Sequence, residues 1–222
     1  MSQRIEIVEG ILSANDRLAA QNRARLDGVR LFSINIMASP GAGKTSLIEQ
    51  TARNLGSIMR LAVVEGDLAT SLDADRAAAA GARAIQINTG GQCHLDAVML
   101  QGALDQLDLS SLDLLLVENV GNLVCPAAFR LGTHKSVLVA SVPEGDDKPY
   151  KYPASYQGVD ALVINKVDLL PYVSFDMERF RRGVAMLNPA LLTFPVSCRT
   201  GQGLQAWLDW LVSEARAIRP AI

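Results

Sequence analysis

Eight consecutive residues, Ala38-Ser39-Pro40-Gly41-Ala42-Gly43-Lys44-Thr45, have the composition of a phosphate-binding loop. Gly41 and Gly43 let the backbone curl until the N–H groups of Gly41, Ala42 and Gly43, and of Lys44, Thr45 and Ser46 at the start of a following helix, point at phosphate oxygens. The Lys44 ammonium reaches the β and γ phosphates, and the Thr45 hydroxyl is a ligand for Mg²⁺. The expected chemistry is nucleoside triphosphate binding and cleavage. Ala38 stands where such loops usually begin with glycine, a departure that asks for slightly different backbone angles there.

Asn165-Lys166-Val167-Asp168 ends another apolar run, roughly 120 residues beyond the loop. A carboxylate at Asp168 accepts from both the N1–H and the exocyclic amine of guanine, whereas adenine offers a lone pair at N1 and nothing at C2. GTP and GDP are therefore the expected nucleotides. Ser197 and Cys198, after a further run, fit a loop whose backbone N–H meets guanine O6, with Cys198 as a small residue beneath the base. Glu65, Asp67 and Glu118 lie at the ends of apolar runs, and Glu118 stands three residues before Gly121. Asp67 and Glu118 are expected to hold Mg²⁺ or position water; the plainer reading is of solvated loop groups. Asn122 occupies the place where small signalling GTPases carry a water-orienting glutamine. Its side chain is shorter, so slow intrinsic hydrolysis is expected.

Cys93 and His94 follow the run Ala84–Asn88, and Cys125 lies seven residues beyond Glu118. Thiolate and imidazole are ligands for Zn²⁺ or Ni²⁺. On spacing alone, a metal site and a buried thiol beside a surface imidazole both remain open. If it is a metal site, three ligands leave a coordination position vacant, and movement of the segment after Glu118 would link metal to nucleotide state. His134 has no cysteine neighbour and reads as structural.

These residues are positioned by short runs rich in aliphatic residues, at 31–37, 61–66, 84–88, 112–119, 135–142, 161–165 and 191–197, alternating with helical stretches. Several runs are apolar on both faces, as in strands of a mostly parallel sheet flanked by helices, so the class is α/β. A solvated helix over 13–27, capped at Ser13, is expected as an appendage: residues 1–28 form a prefix and 29–222 the nucleotide-binding domain. A chain of 222 residues with 20% charged residues buries a full core without disulfide or metal. The net charge of −2 argues against nucleic acid as a partner. No apolar stretch approaches the roughly 18 residues of a membrane span, and the charged amino terminus is unlike a signal peptide, so the chain reads as cytoplasmic.

The stretches GAGKT, VVEGDLAT, NTGGQCHLD, LLLVENVGNLVCP, SVPEGDDKPYKYP and INKVDLLPY together resemble the hydrogenase nickel-incorporation GTPases (HypB), within the SIMIBI class of P-loop GTPases, over about residues 10–215. The resemblance implies a GTP-dependent homodimer that delivers nickel to the large subunit of nickel-iron hydrogenase together with a HypA-like metallochaperone. It further implies an interfacial site for Ni²⁺ or Zn²⁺ at Cys93, His94 and Cys125, and a role for Lys148 in the dimer or nucleotide site. No CxxCGC motif and no histidine-rich tract precedes the loop in this sequence, so the high-affinity nickel site and nickel storage of some members are not carried over.

Two other classes are distinguishable. A regulatory metal-binding module would hold nucleotide but barely turn it over. A phosphotransferase would need an arginine-rich lid and leaves Asn165-Lys166-Val167-Asp168 without a purpose.

Overall fold

The computed structural model describes residues 7–67 and 72–219. The first six residues of the expected prefix, and Leu68-Ala69-Thr70 of the VVEGDLAT stretch, lie outside them.

All seven runs form strands: β1 Phe32–Ala38, β2 Leu61–Asp67, β3 Arg83–Asn88, β4 Leu114–Glu118, β5 Lys135–Ser141, β6 Ala161–Asn165 and β7 Leu192–Pro195. They make one sheet in the order β3-β2-β4-β1-β5-β6-β7, parallel at every pairing. Burial on both faces explains the continuous apolar runs; β1 and β4 are buried along their whole length. The helices are α1 Ile7–Gly28, α2 Lys44–Leu55, α3 Leu72–Ala79, α4 Ala97–Leu104, α5 Cys125–Ala128, α6 Lys148–Lys151, α7 Pro153–Gln157, α8 Met177–Leu187 and α9 Leu204–Ile218.

Alternation along the strands divides the core. Ile34, Val63, Leu116 and Val163 pack with Leu47 of α2 and with Trp207 and Leu211 of α9. On the opposite face, Val64, Leu115 and Val117 pack with Leu26 of α1 and Leu100 of α4, while Leu138, Leu162 and Ile164 pack with Tyr156 of α7 and Phe180 of α8. The central position of β1 delivers its carboxyl end, and hence the phosphate loop, to the middle of the sheet, where open α/β folds keep their ligands.

The amino-terminal helix differs from expectation. It begins six residues before Ser13, whose hydroxyl donates back to the Gly10 carbonyl at 3.0 Å instead of capping. It is also stitched to the core. Asn15 donates to the Arg130 carbonyl (2.8 Å) and accepts from the Ala97 N–H (2.9 Å). Asn22, fully buried, donates to the carbonyls of Ala97 (2.8 Å) and Leu131 (3.1 Å). Two of the polar residues that read as a solvated face, Asn15 and Asn22, are on the buried side, where they satisfy backbone groups of two segments of the core. No helix among the described residues is long and apolar enough to cross a membrane.

Candidate functional site

Strand β1 ends at Ala38 without a positive φ, so the absent first glycine costs no strain there. The turn is made by Gly41 and Gly43, with φ of 76° and 102°. A Cβ at Gly43 would also meet the Asn165 amide at 2.3 Å, so any other residue there would have to displace that amide. Helix α2 then starts at Lys44 with no side-chain cap on its first N–H groups, which leaves them available to phosphate oxygens.

Beneath this helix terminus lie two carboxyls. Glu65 and Glu118 are register partners on β2 and β4, and both continue the face that carries Val63 and Leu116 toward α2. Both are buried. The Thr45 hydroxyl donates to Glu118 Oε1 at 2.8 Å, while Glu65 Oε2 has no hydrogen-bond partner. Burial is the main cause that pushes the Glu65 carboxyl up to about 8, reinforced by the charges of Glu118 and Asp67. Burial likewise takes Glu118 up to about 7, opposed by Lys44 and the Thr45 hydrogen bond. Asp67 ends β2 half-buried, with its carbonyl accepting from the Thr89 N–H at 3.0 Å. Glu65, buried with one oxygen unpartnered, thus stands beside Glu118, Asp67 and Thr45, and oxygen donors crowded this way are of the kind that fit a hard divalent cation such as Mg²⁺. Glu65 was legible as an acidic strand end but not as part of this set, because the in-register pairing of β2 with β4 is a tertiary fact.

A cavity of about 350 Å³ adjoins the loop, lined by Gly43, Ser46, Lys166, Asp168, Cys198 and Arg199 among others. Asn165 organises it. Its amide nitrogen donates to the Ala42 carbonyl (3.0 Å), and its oxygen accepts from the N–H groups of Lys166 (2.7 Å) and Cys198 (3.2 Å). Lys166, with a positive φ of 62°, sends its ammonium to the Gly41 carbonyl at 2.6 Å. Ser197 does not line the cavity. It is fully buried, and its hydroxyl accepts from the Thr200 N–H at 3.1 Å, closing the turn that presents Cys198 and Arg199. Burial pushes the Cys198 thiol up to about 11, which suits a neutral packing residue and not a thiolate ligand. Glu49 and Gln50 also line the cavity; their spacing from Ser46, one turn along α2, was the available signal.

Cys93, His94 and Cys125 converge. Their three ligand atoms lie within 4.8 Å of one another, and Cys93 Sγ is 3.9 Å from His94 Nδ1. The His94 ring packs on Phe129, centroids 4.0 Å apart, and burial lowers its pKa, which keeps the imidazole neutral and able to ligate. The Cys125 thiol is raised, first through its hydrogen bond with Cys93. Two thiols and an imidazole at a partly open surface form a soft donor set for Zn²⁺ or Ni²⁺ with a position to spare.

His134 stays apart from this cluster. Its Nδ1 accepts from the Ser33 N–H at 3.1 Å and its Nε2 donates to Asp27 at 2.9 Å, a tie between α1 and the sheet. The stretch from Glu144 to Pro153 is likewise largely architectural. Glu144 accepts from Ser141 in a capping box, Asp146 pairs with Arg179 (2.9 Å), and Lys148 lies over the Tyr152 ring. Ser155 of the adjoining α7 donates to the Leu123 carbonyl, so this region props the loop that carries Cys125.

Residues 32–195 match the family described as CobW/HypB/UreG, nucleotide-binding domain. The hydrogenase maturation factor HypB of Azotobacter vinelandii is 49% identical over 95% of this chain and 69% of its own length. Among solved structures, HypB from Helicobacter pylori in complex with nickel superposes with a TM-score of 0.88 at 38% identity, covering 92% of this chain and 96% of that one. The hydrogenase maturation factor HypB from Archaeoglobus fulgidus gives 0.86 at 38% identity, covering 91% and 99%. With the glycine-rich loop, the adjoining cavity and the thiol–imidazole cluster all following the carboxyl ends of strands, the chain belongs to the CobW/HypB/UreG nucleotide-binding family and, within it, to the HypB hydrogenase maturation factors.

Proposed function

We propose that this protein hydrolyses GTP and, through that cycle, carries nickel, or zinc, at Cys93, His94 and Cys125 in support of nickel insertion into nickel-iron hydrogenase. The observation that carries this reading is the continuity of one segment: Glu118, bonded to Thr45 of the phosphate loop, leads in seven residues to Cys125 of the thiol–imidazole cluster. The nickel bound by the Helicobacter pylori relative supports the choice of metal.

In the cycle, the loop N–H groups and Lys44 hold the β and γ phosphates in line with an attacking water and stabilise charge as it develops on the γ oxygens. Asp168 and Asn165 orient guanine, the latter through the loop geometry it maintains. Bound Mg²⁺, held by Thr45, Asp67 and Glu118, would supply charge neutralisation at the β and γ oxygens. Work in the cytoplasm as a GTP-dependent homodimer, with Lys148 near the shared face, and with a HypA-like metallochaperone and the hydrogenase large subunit as partners, completes the proposal.

A slow nucleotide switch is the second reading, favoured by one observation: the Asn122 side chain is engaged with Cys93 and Val124. GTP turnover of the whole chain, with and without Ni²⁺, separates the two. For the leading reading, Lys44→Ala lowers turnover by about 100-fold or more, as loss of a transition-state donor does; undiminished turnover overturns the assignment. Cys93→Ala and Cys125→Ala each abolish stoichiometric Ni²⁺ binding, and retention by both removes the metal site.

A further inference from the structure

Cys93 and Cys125 come from different connections, one between β3 and α4 and the other after β4, so their separation must be set across loops. Two asparagines three residues apart make the cross-loop bonds. Asn119 is fully buried; its oxygen accepts from the N–H groups of Leu95 and Val120, both at 2.9 Å, and its nitrogen donates to Asn35 at 3.2 Å. It fixes the base of both loops to β1. Asn122 lies at their tips. Its nitrogen donates to the Cys93 carbonyl at 3.3 Å, and its oxygen accepts from the N–H of Val124, the residue before Cys125, at 3.0 Å. One amide thus ties the backbone of one cysteine to the backbone immediately before the other.

We infer that Asn122 is a positioning residue of the metal site, setting the spacing of Cys93 and Cys125, instead of a water-orienting residue of GTP hydrolysis; this rests on the metal reading of that cluster. Partners outside the ligand set hold ligands in orientation, and their loss costs about 10- to 100-fold in metal affinity. His94 has its own support in Phe129, so removing the amide acts on the two thiols and leaves the imidazole in place.

The test uses the full chain loaded with GDP and titrated with Ni²⁺ alone, reading the thiolate-to-nickel charge-transfer absorbance. Asn122→Ser keeps a hydroxyl acceptor for the Val124 N–H two residues on but cannot reach Cys93. Nickel affinity is expected to fall about 10-fold or more, with an altered charge-transfer band. Asn122→Gln, whose amide sits one methylene further out, is expected to recover part of that loss without reaching wild type. Nickel affinity and band equal to wild type in the serine variant overturn the inference. If that variant no longer holds GDP, the glutamine variant decides, and wild-type nickel affinity there overturns it. A wild-type chain without the band removes the metal reading itself, an outcome distinct from loss of the Asn122 role alone.

Discussion

The amide nitrogen of Asn165 donates to the carbonyl oxygen of Ala42 at 3.0 Å, tying the end of β6 to the phosphate loop. The same side chain holds the N–H of Cys198, so three segments far apart in sequence meet at one amide. Replacing it with alanine leaves a buried carbonyl and a buried N–H unpaired, at about 1–3 kcal/mol each. Asn165→Ala should therefore weaken GDP and GTP alike by at least about 10-fold, measured by equilibrium titration. A loss confined to one of the two nucleotides would contradict this role.

Asp168 lines the cavity beside Lys166 and Leu169. An asparagine there donates where the carboxylate accepts, which mismatches the exocyclic amine of guanine and matches the second carbonyl of xanthine. Asp168→Asn should weaken GDP by roughly 10- to 100-fold, the worth of a hydrogen bond to a charged group, and improve xanthosine diphosphate. Competition between the two nucleotides reads the exchange directly.

Glu65 and Glu118 face each other in register, and the Glu65 carboxyl is raised to about 8. A carboxyl raised in the fold is neutral there while its unfolded counterpart ionises near 4.5. The unfolded chain then binds fewer protons, so metal-free stability falls as pH rises from about 4.5 through about 8. Glu65→Gln should flatten that fall in a thermal melt series, and raise the Mg²⁺ concentration needed for tight GDP binding. An unchanged pH slope together with unchanged Mg²⁺ dependence would remove Glu65 from the site.

Gly121 packs so closely on the phosphate loop that an added Cβ would lie 3.2 Å from the Cα and Cγ of Pro40. One residue further along is Asn122, on the cysteine loops. Gly121→Ala must displace one side or the other, at a cost of about 1–3 kcal/mol. GTP affinity should drop by about 10-fold, and any difference in nickel affinity between GDP and a non-hydrolysable GTP analogue should shrink. Parallel titrations in the two nucleotide states check both.

Asn22 spans from α1 to the Ala97 and Leu131 carbonyls. Asn22→Ala leaves both acceptors buried and should lower stability by about 1–3 kcal/mol, a fall of a few degrees in melting temperature for a chain of this size. A melt indistinguishable from wild type would show that α1 is as dispensable as its sequence suggests.

The amino-terminal helix is the element least legible in the sequence. Residues 13–27 read as a solvated helix, because a buried asparagine looks the same in the sequence as an exposed one. Asn119 is illegible in the same way, and Asn122 reads only as a shorter stand-in for a water-orienting glutamine: amide partners are backbone groups of other loops and leave no pattern in spacing. Arg199 joins the cavity wall only because the fold sets the loop after β7 beside α2.

What the sequence determined alone is what depends on neighbours along the chain. Strand period and apolarity set the α/β class, and the glycines and lysine of residues 41–44 declare a phosphate loop wherever they follow a strand and open a helix. The expectation of guanine at Asn165 through Asp168 follows the same local logic. Only the tertiary structure decided that Cys93, His94 and Cys125 share one point, that Glu65 stands beside Glu118, and that Asn122 turns to the cysteines. The reason is physical: strand order and register place residues from separate loops within bonding distance, and no local preference encodes that order.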